Sequence, residues 1–280
     1  MSLAFVILWL CCASYGAAFL MHVLSFSEVW KGGDRAGFVM LRAGFLLGTL
    51  YFLSRGLQSG YFLPVVNMSA ALAFFAWTLA FVYLVLLGKA RTQSFGLILA
   101  LILFLLLLGA GLTNGQGRDI QAMIRQYPYL LNPFFALHVV SAFFAYASFT
   151  ISFVASVLYL VECRELKNRQ AGGSLYHKLP SLERLERMVS RPLLWGTPLL
   201  LITTISGFVW ARHAFGSFML MDPKTIVTMT LLGLYGVILW RYWVAAIRGK
   251  EIASLSVLSF AFIVAGFITT SLLACRHNFL

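Results

Sequence analysis

Eight stretches of this sequence stay apolar for about twenty residues or more, and that recurrence leaves few folds open. They run from about 3 to 26, 37 to 56, 64 to 88, 93 to 112, 133 to 162, 192 to 212, 224 to 247 and 252 to 275. A bilayer core about 30 Å thick is crossed by roughly 20 helical residues, because lipid offers backbone N–H and C=O groups no partners except one another. Composition agrees, with 61% hydrophobic residues and only 11% charged, against roughly 25% charged in soluble domains. A soluble fold cannot hide that much apolar surface. The chain is therefore expected to be an all-α polytopic membrane helical bundle of about eight transmembrane helices, a single transmembrane domain over 1–280. No basic segment precedes the first run and no small-residue cleavage site follows it, so it reads as the first span and not as a signal peptide.

Charge sets the orientation. The net charge of +12 does not point to nucleic acid, because the basic residues stand singly in short connectors and form no common face. Of the 21 Lys and Arg, six (Arg55, Arg118, Arg125, Arg212, Lys224 and Arg276) fall at one set of helix ends and the rest at the other. The richer side is cytoplasmic by the positive-inside rule, which places both termini outside and makes the connector 163–191 the main cytoplasmic feature.

Prolines mark helix starts, since an N–H missing from a first turn costs nothing there. Asn132-Pro133, Arg191-Pro192 and Asp222-Pro223 are accordingly expected to open the fifth, sixth and seventh spans. Two connectors carry more pattern than a turn. In RDIQAMIRQYPYLL, Ile120, Met123, Ile124 and Tyr127 repeat at helical spacing opposite Asp119, Gln121 and Arg125, which predicts a short amphipathic helix at the outer interface. The cytoplasmic connector ends in SLERLERM, which predicts a helical turn or two with Ser181 as its cap, in an otherwise solvated loop. Cys11, Cys12, Cys163 and Cys275 form no CxxC pair and no zinc spacing, and read as small apolar packing groups.

Histidine carries the chemistry on offer. Three of the five, His138, His213 and His277, fall on the outer side. Neutral imidazoles from two helices can clamp a haem iron from both faces. A single interfacial histidine serves equally well as an ordinary hydrogen-bonding group. Between His138 and His277 lies SGFVWARHAFGSFMLMDPKT, residues 206 to 225. Its Trp210, Phe215, Phe218, Met219 and Met221 suit a flat porphyrin, and Arg212, Lys224 and Arg276 suit propionates. The same residues also describe an aromatic belt followed by an Asp-Pro helix start.

Gly207, Trp210, Ala211, Gly216, Ser217, Asp222, Pro223 and Lys224 together resemble the tryptophan-rich haem-handling segment of the cytochrome c assembly protein family. His138 in ALHVVSAFFAYASF and His277 in CRHNF match the two histidines that flank it, and Pro64, Asn67, Phe75 and Trp77 resemble the start of the family's third helix. The resemblance covers nearly the whole chain, most convincingly the fifth to eighth helices, so the haem-handling core is expected mainly within 133–280.

That resemblance implies a non-covalent, bis-His haem b, with His138 and His277 as iron ligands and membrane lipid as the surroundings. It also implies placement as a multi-pass protein of the bacterial cytoplasmic (inner) membrane. The expected partners are another cytochrome c assembly subunit or an apocytochrome, and no catalytic constellation of an enzyme is present. Departures are equally specific. Phe215, Met219 and Met221 stand where the family carries tryptophans, Gly48 and Trp240 stand where haem-exporting members carry two intramembrane histidines, and Ala70 replaces an acidic residue. His22 is the one candidate substitute for an inner ligand. These losses and the eight-helix plan look most like the HemX-like branch, which implies the alternative of a membrane regulator of tetrapyrrole synthesis acting through its cytoplasmic loop on a haem-synthesis enzyme. A transporter of something else fits poorly, because every acidic residue lies in a loop or at a helix end and no internal repeat is visible.

Overall fold

The structure, a computed structural model, describes residues 3–30, 32–60, 67–88, 92–113, 128–167 and 180–273. Among them every regular element is helical: α1 (Leu3–Phe26), α2 (Gly33–Ser59), α3 (Met68–Leu87), α4 (Gln93–Thr113), a 3-10 turn (Pro128–Leu131), α5 (Pro133–Lys167), α6 (Leu182–Phe215), α7 (Pro223–Val244) and α8 (Lys250–Leu273). All eight α-helices are long and apolar enough to cross a membrane. The amphipathic helix expected within residues 118–131 falls largely outside the described residues, as do Pro64, Cys275, Arg276 and His277.

Two compact units result, one of Met1–Tyr127 with Gly172–Pro180 and the other of Pro128–Ala171 with Ser181–Leu280. In the first, α1 packs on α2 and α4, and α3 packs on α4 and α2. Lipid-facing bundles gain little from burying apolar groups that lipid solvates as well, so close backbone approach at small residues holds them together. A Cβ on Gly44 would come within 2.8 Å of the Tyr15 ring. Asn67 caps α3 by accepting a 2.8 Å bond from the Ala70 N–H, so no acidic side chain is needed at 70 to close that turn. A Cβ on Gly48 would stand 3.2 Å from the Trp77 ring and 3.8 Å from Cys11 Sγ. Trp77 in turn stacks on Phe45, Phe74 and Phe81 and donates to Thr49 Oγ1 at 2.9 Å. Aromatic packing fills the place that the family resemblance gives to one inner histidine.

His22 is buried in this unit at 2% exposure, with Nδ1 3.2 Å from Asp34 Oδ1. Its ring is wedged between two helix backbones: a Cβ on Gly37 or on Gly96 would stand 2.8 Å from it. With no slack on either side the ring cannot step away, so Gly96→Ala is expected to cost about 1–3 kcal/mol through overpacking. The measurement is thermal unfolding in detergent; an unchanged midpoint would show that the wedge is soft.

In the second unit α5 lies along α6 and also contacts α8, while α7 packs on α8 and α6. Two of the expected starts are where the prolines put them. Asn132 Oδ1 accepts from the Phe134 N–H at 2.8 Å ahead of Pro133, and Asp222 Oδ1 accepts from the Lys224 N–H at 2.8 Å with Pro223 in the first turn. The third is a correction. Helix α6 starts at Leu182 and runs through Pro192 and Pro198 without interruption. Leu185, Met188 and Val189 are buried at helical spacing before the proline, so the SLERLERM turns and the span form one helix. Pro192 has no N–H to offer the Met188 carbonyl four residues back; one residue on, the Ser152 hydroxyl of α5 donates to the Val189 carbonyl at 2.9 Å and ties the two helices together beside the proline.

Candidate functional site

The site is built where α6 ends and α7 begins. Gly216, at φ 72°, closes α6 in the left-handed conformation with its N–H on the Arg212 carbonyl at 3.0 Å. The chain turns through Met219, itself at φ 46°, and the Asp222 cap starts α7. Lys224, Thr225 and Thr228 fall on one face of the new helix by three- and four-residue spacing. On α6, Thr204, Gly207, Phe208 and Ala211 share a face by the same rule. Together these faces, His138 of α5, and Trp210, Phe215, Phe218, Met219 and Asp222 line a cleft of about 320 Å³. Small-molecule sites span roughly 300–1,000 Å³ and share this make-up of apolar walls with few polar groups.

His138 is held with one ring nitrogen engaged. Its Nδ1 lies 2.8 Å from the Thr203 carbonyl oxygen. A carbonyl only accepts, so Nδ1 carries the proton and Nε2 keeps its lone pair. The ring lies nearly parallel to Trp210, 19° between planes and 6.3 Å between centroids. Trp210 is fixed in turn by its N–H on the Tyr129 carbonyl at 3.2 Å and by Phe135 at 5.1 Å, and Phe215 meets it edge-on at 5.6 Å. One wall of the cleft is therefore a braced aromatic cluster with an imidazole beside it.

The basic residues separate. Lys224 lines the cleft, whereas the Arg212 guanidinium sits over the Phe218 ring at 5.0 Å, outside the lining but against one of its members. Met221 is 88% exposed and is not among the residues that line this cleft, and His213 is exposed with its ring stacked on Phe134. Sequence reasoning passed over Thr204, Phe208, Thr225, Thr228 and Tyr129. The helical spacing of Lys224 and Thr228, and of Thr204 and Phe208, was the available signal. The Tyr129 contact joins residues 81 apart and has no such signal.

An imidazole with Nδ1 committed to a carbonyl, an apolar aromatic wall, a lysine in the first turn of α7 and a glycine that lets the ring approach α6 are compatible with a porphyrin that has an iron centre and anionic arms. Among the described residues no group of three or more His, Cys, Asp or Glu is placed to hold a metal ion. What the fold and the cleft define is an integral membrane helical protein with a histidine-bearing apolar site at one end of its second unit.

Comparison with known proteins narrows the class. The model of the cytochrome C assembly protein family matches residues 65–275, and the chain belongs to that family. It is 27% identical over 259 residues to Protein HemX of Brevibacillus brevis, covering 92% of this chain and 93% of that protein. To Protein HemX of Bacillus subtilis (strain 168) it is 25% identical over 265 residues, 95% and 94% of the two chains. To the cytochrome c biogenesis protein CcsA of Guillardia theta it is 28% identical over 190 residues, 63% and 62% of the two.

Proposed function

We propose that this protein holds a non-covalent haem b at the outer face of a bacterial cytoplasmic membrane, through His138 and His277, and presents it to an apocytochrome or another assembly subunit. The observation that carries this reading is the His138 ring, with Nδ1 engaged on the Thr203 carbonyl and Nε2 left as a ligand beside the cleft. Imidazoles that ligate metals characteristically spend the second nitrogen in this way. Trp210 and Phe215 line one side of the cleft, Lys224 in its lining would pair with a propionate, and Arg212, over the Phe218 ring, would add positive charge nearby. When bound, haem supplies a redox-active iron and vinyl groups for a partner's thiols; the chain itself forms no covalent bond. Membership in the cytochrome C assembly protein family supports the ligand class. The filled space at Gly48 and the 60% exposed Trp240 favour holding over passage through inner ligands.

Purified protein titrated with haemin is expected to give the absorption spectrum of a six-coordinate, low-spin bis-His haem. A protein that stays colourless, or a spectrum unchanged in the His138→Ala/His277→Ala double variant, would remove the basis of the reading. Cysteines placed singly at Ser217 and in the 168–180 connector test the sidedness, the first being labelled by an impermeant maleimide in intact cells and the second only after lysis.

The second reading, a regulator of haem synthesis acting through the cytoplasmic connector, is favoured by one observation. The two HemX relatives match 92% and 95% of the chain, against 63% for the Guillardia CcsA. Deleting residues 168–180 is expected to change haem-precursor levels under this reading while leaving the haem spectrum intact. Unaltered precursor levels would count against it.

A further inference from the structure

We infer that Gly207 and the Thr203 carbonyl form a dedicated seat that sets the tautomer and direction of the His138 imidazole, making Gly207 a positioning residue for the iron ligand; this rests on the haem-binding reading above.

The inference starts from crowding. In a helix the Thr203 carbonyl faces the N–H four residues on, that of Gly207. Its oxygen has a second lone pair, and the His138 Nδ1–H takes it at 2.8 Å. To reach it the ring must lie against the backbone of α6 at 207, where any Cβ would stand 2.6 Å from Nδ1 and 2.8 Å from Cε1. Only glycine leaves that path open. The atom that would collide belongs to a ring anchored on both sides, by the carbonyl and by Trp210, so it cannot swing clear without giving up the bond.

The surroundings tie the two helices together at this level. Thr203 Oγ1 lies 2.8 Å from Ser141 Oγ, one turn along α5 from His138, while the Ser206 hydroxyl donates chiefly to the Ile202 carbonyl at 2.6 Å. A ring anchored this way presents Nε2 in one direction and in one protonation form. Hydrogen bonding at the far nitrogen also makes Nε2 a stronger donor to iron, and outer-shell partners of this kind carry roughly 10–100-fold in metal affinity.

Three measurements test the seat. In protein without haem, ¹⁵N NMR of labelled histidine is expected to show His138 protonated at Nδ1, and Gly207→Ala is expected to move it to a mixture or to Nε2–H. A wild-type ring protonated at Nε2 overturns the inference whether or not haem binds. In haem-loaded protein, Gly207→Ala is expected to weaken binding roughly 10–100-fold and to lose the low-spin spectrum. Wild-type affinity and spectrum in that variant also overturn it. To separate positioning from folding, the third arm uses His138→Gly supplied with free ligands. Imidazole and 4-methylimidazole, which keep an N–H for the Thr203 carbonyl, should restore the low-spin spectrum at about tenfold lower concentration than 1-methylimidazole, which has none. Equal rescue by all three removes the seat but leaves haem binding standing. Haem binding that fails in wild type, with the Nδ1–H form still present, removes the haem reading and leaves the seat as a ligand-free feature of the fold.

Discussion

His138→Ala is expected to weaken haem binding by upwards of about 100-fold, more than the roughly 10–100-fold carried by partners one shell further out, while the protein stays folded. The asymmetry follows from where the side chain is attached. Its ring touches the α6 backbone at Gly207 and the face of Trp210, but neither depends on it for position: Trp210 keeps its bond to the Tyr129 carbonyl and its contacts with Phe135 and Phe215. The Thr203 carbonyl keeps its helix partner, the N–H four residues on. Alanine is also the best helix former. A stability change within about 1 kcal/mol is therefore expected. His213→Ala provides the comparison, since that ring is exposed, stacks on Phe134 and lines no part of the cleft. Equilibrium haem titration with a thermal scan of each variant decides it. A His138→Ala protein that binds like wild type, or a His213→Ala protein that loses haem in its place, would show that the ligand has been assigned to the wrong ring.

Much of the architecture was legible in the residues because membrane helices announce themselves by length and hydropathy, and because Asn132-Pro133 and Asp222-Pro223 combine a capping side chain with a proline that has no N–H to lose. Arg191-Pro192 carries half of that signal. Arginine offers no acceptor to cap the turn, and the helix runs on through Pro192 with Leu185, Met188 and Val189 buried ahead of it. A local pattern does not contain the packing that buries them. The site divides in the same way. Trp210, Phe215 and Lys224 stand out by residue type, and the structure gathers them with His138 around one cleft. Met221 has an equally suitable side chain, yet it is exposed and not among the residues that line the cleft, and the chain between the Gly216 cap and the Asp222 cap follows no helical period from which a face could be read. Gly207 was visible as a letter of a motif. Its reason, the room it leaves for an imidazole from α5, exists only once two helices are packed.

Gly196→Leu is expected to be the most damaging single substitution in the second unit, and the damage should reach the cleft without touching it. A Cβ at 196 would come within 2.8 Å of the Phe149 ring and 3.0 Å of Ser148 Cβ, so the larger side chain cannot be accommodated by a rotamer change. Phe149 is fully buried and stacks on Tyr235 of α7, 3.7 Å between centroids and 7° between planes. Pushing α6 off α5 therefore also displaces α7, which carries Lys224, Thr225 and Thr228. Overpacking by one or two methylenes costs about 1–3 kcal/mol; leucine adds four heavy atoms against a ring with nowhere to go, and a loss above about 3 kcal/mol, with most haem capacity, is expected. Gly233→Leu on α7 adds the same atoms at a position with nothing within 4 Å and should leave both properties near wild type. Detergent-unfolding midpoints and haem stoichiometry for the pair make the comparison. If Gly233→Leu proved as harmful as Gly196→Leu, the loss would come from glycine's role in the helices themselves, and the chain of contact from Gly196 through Phe149 and Tyr235 to the cleft would not be what supports the site.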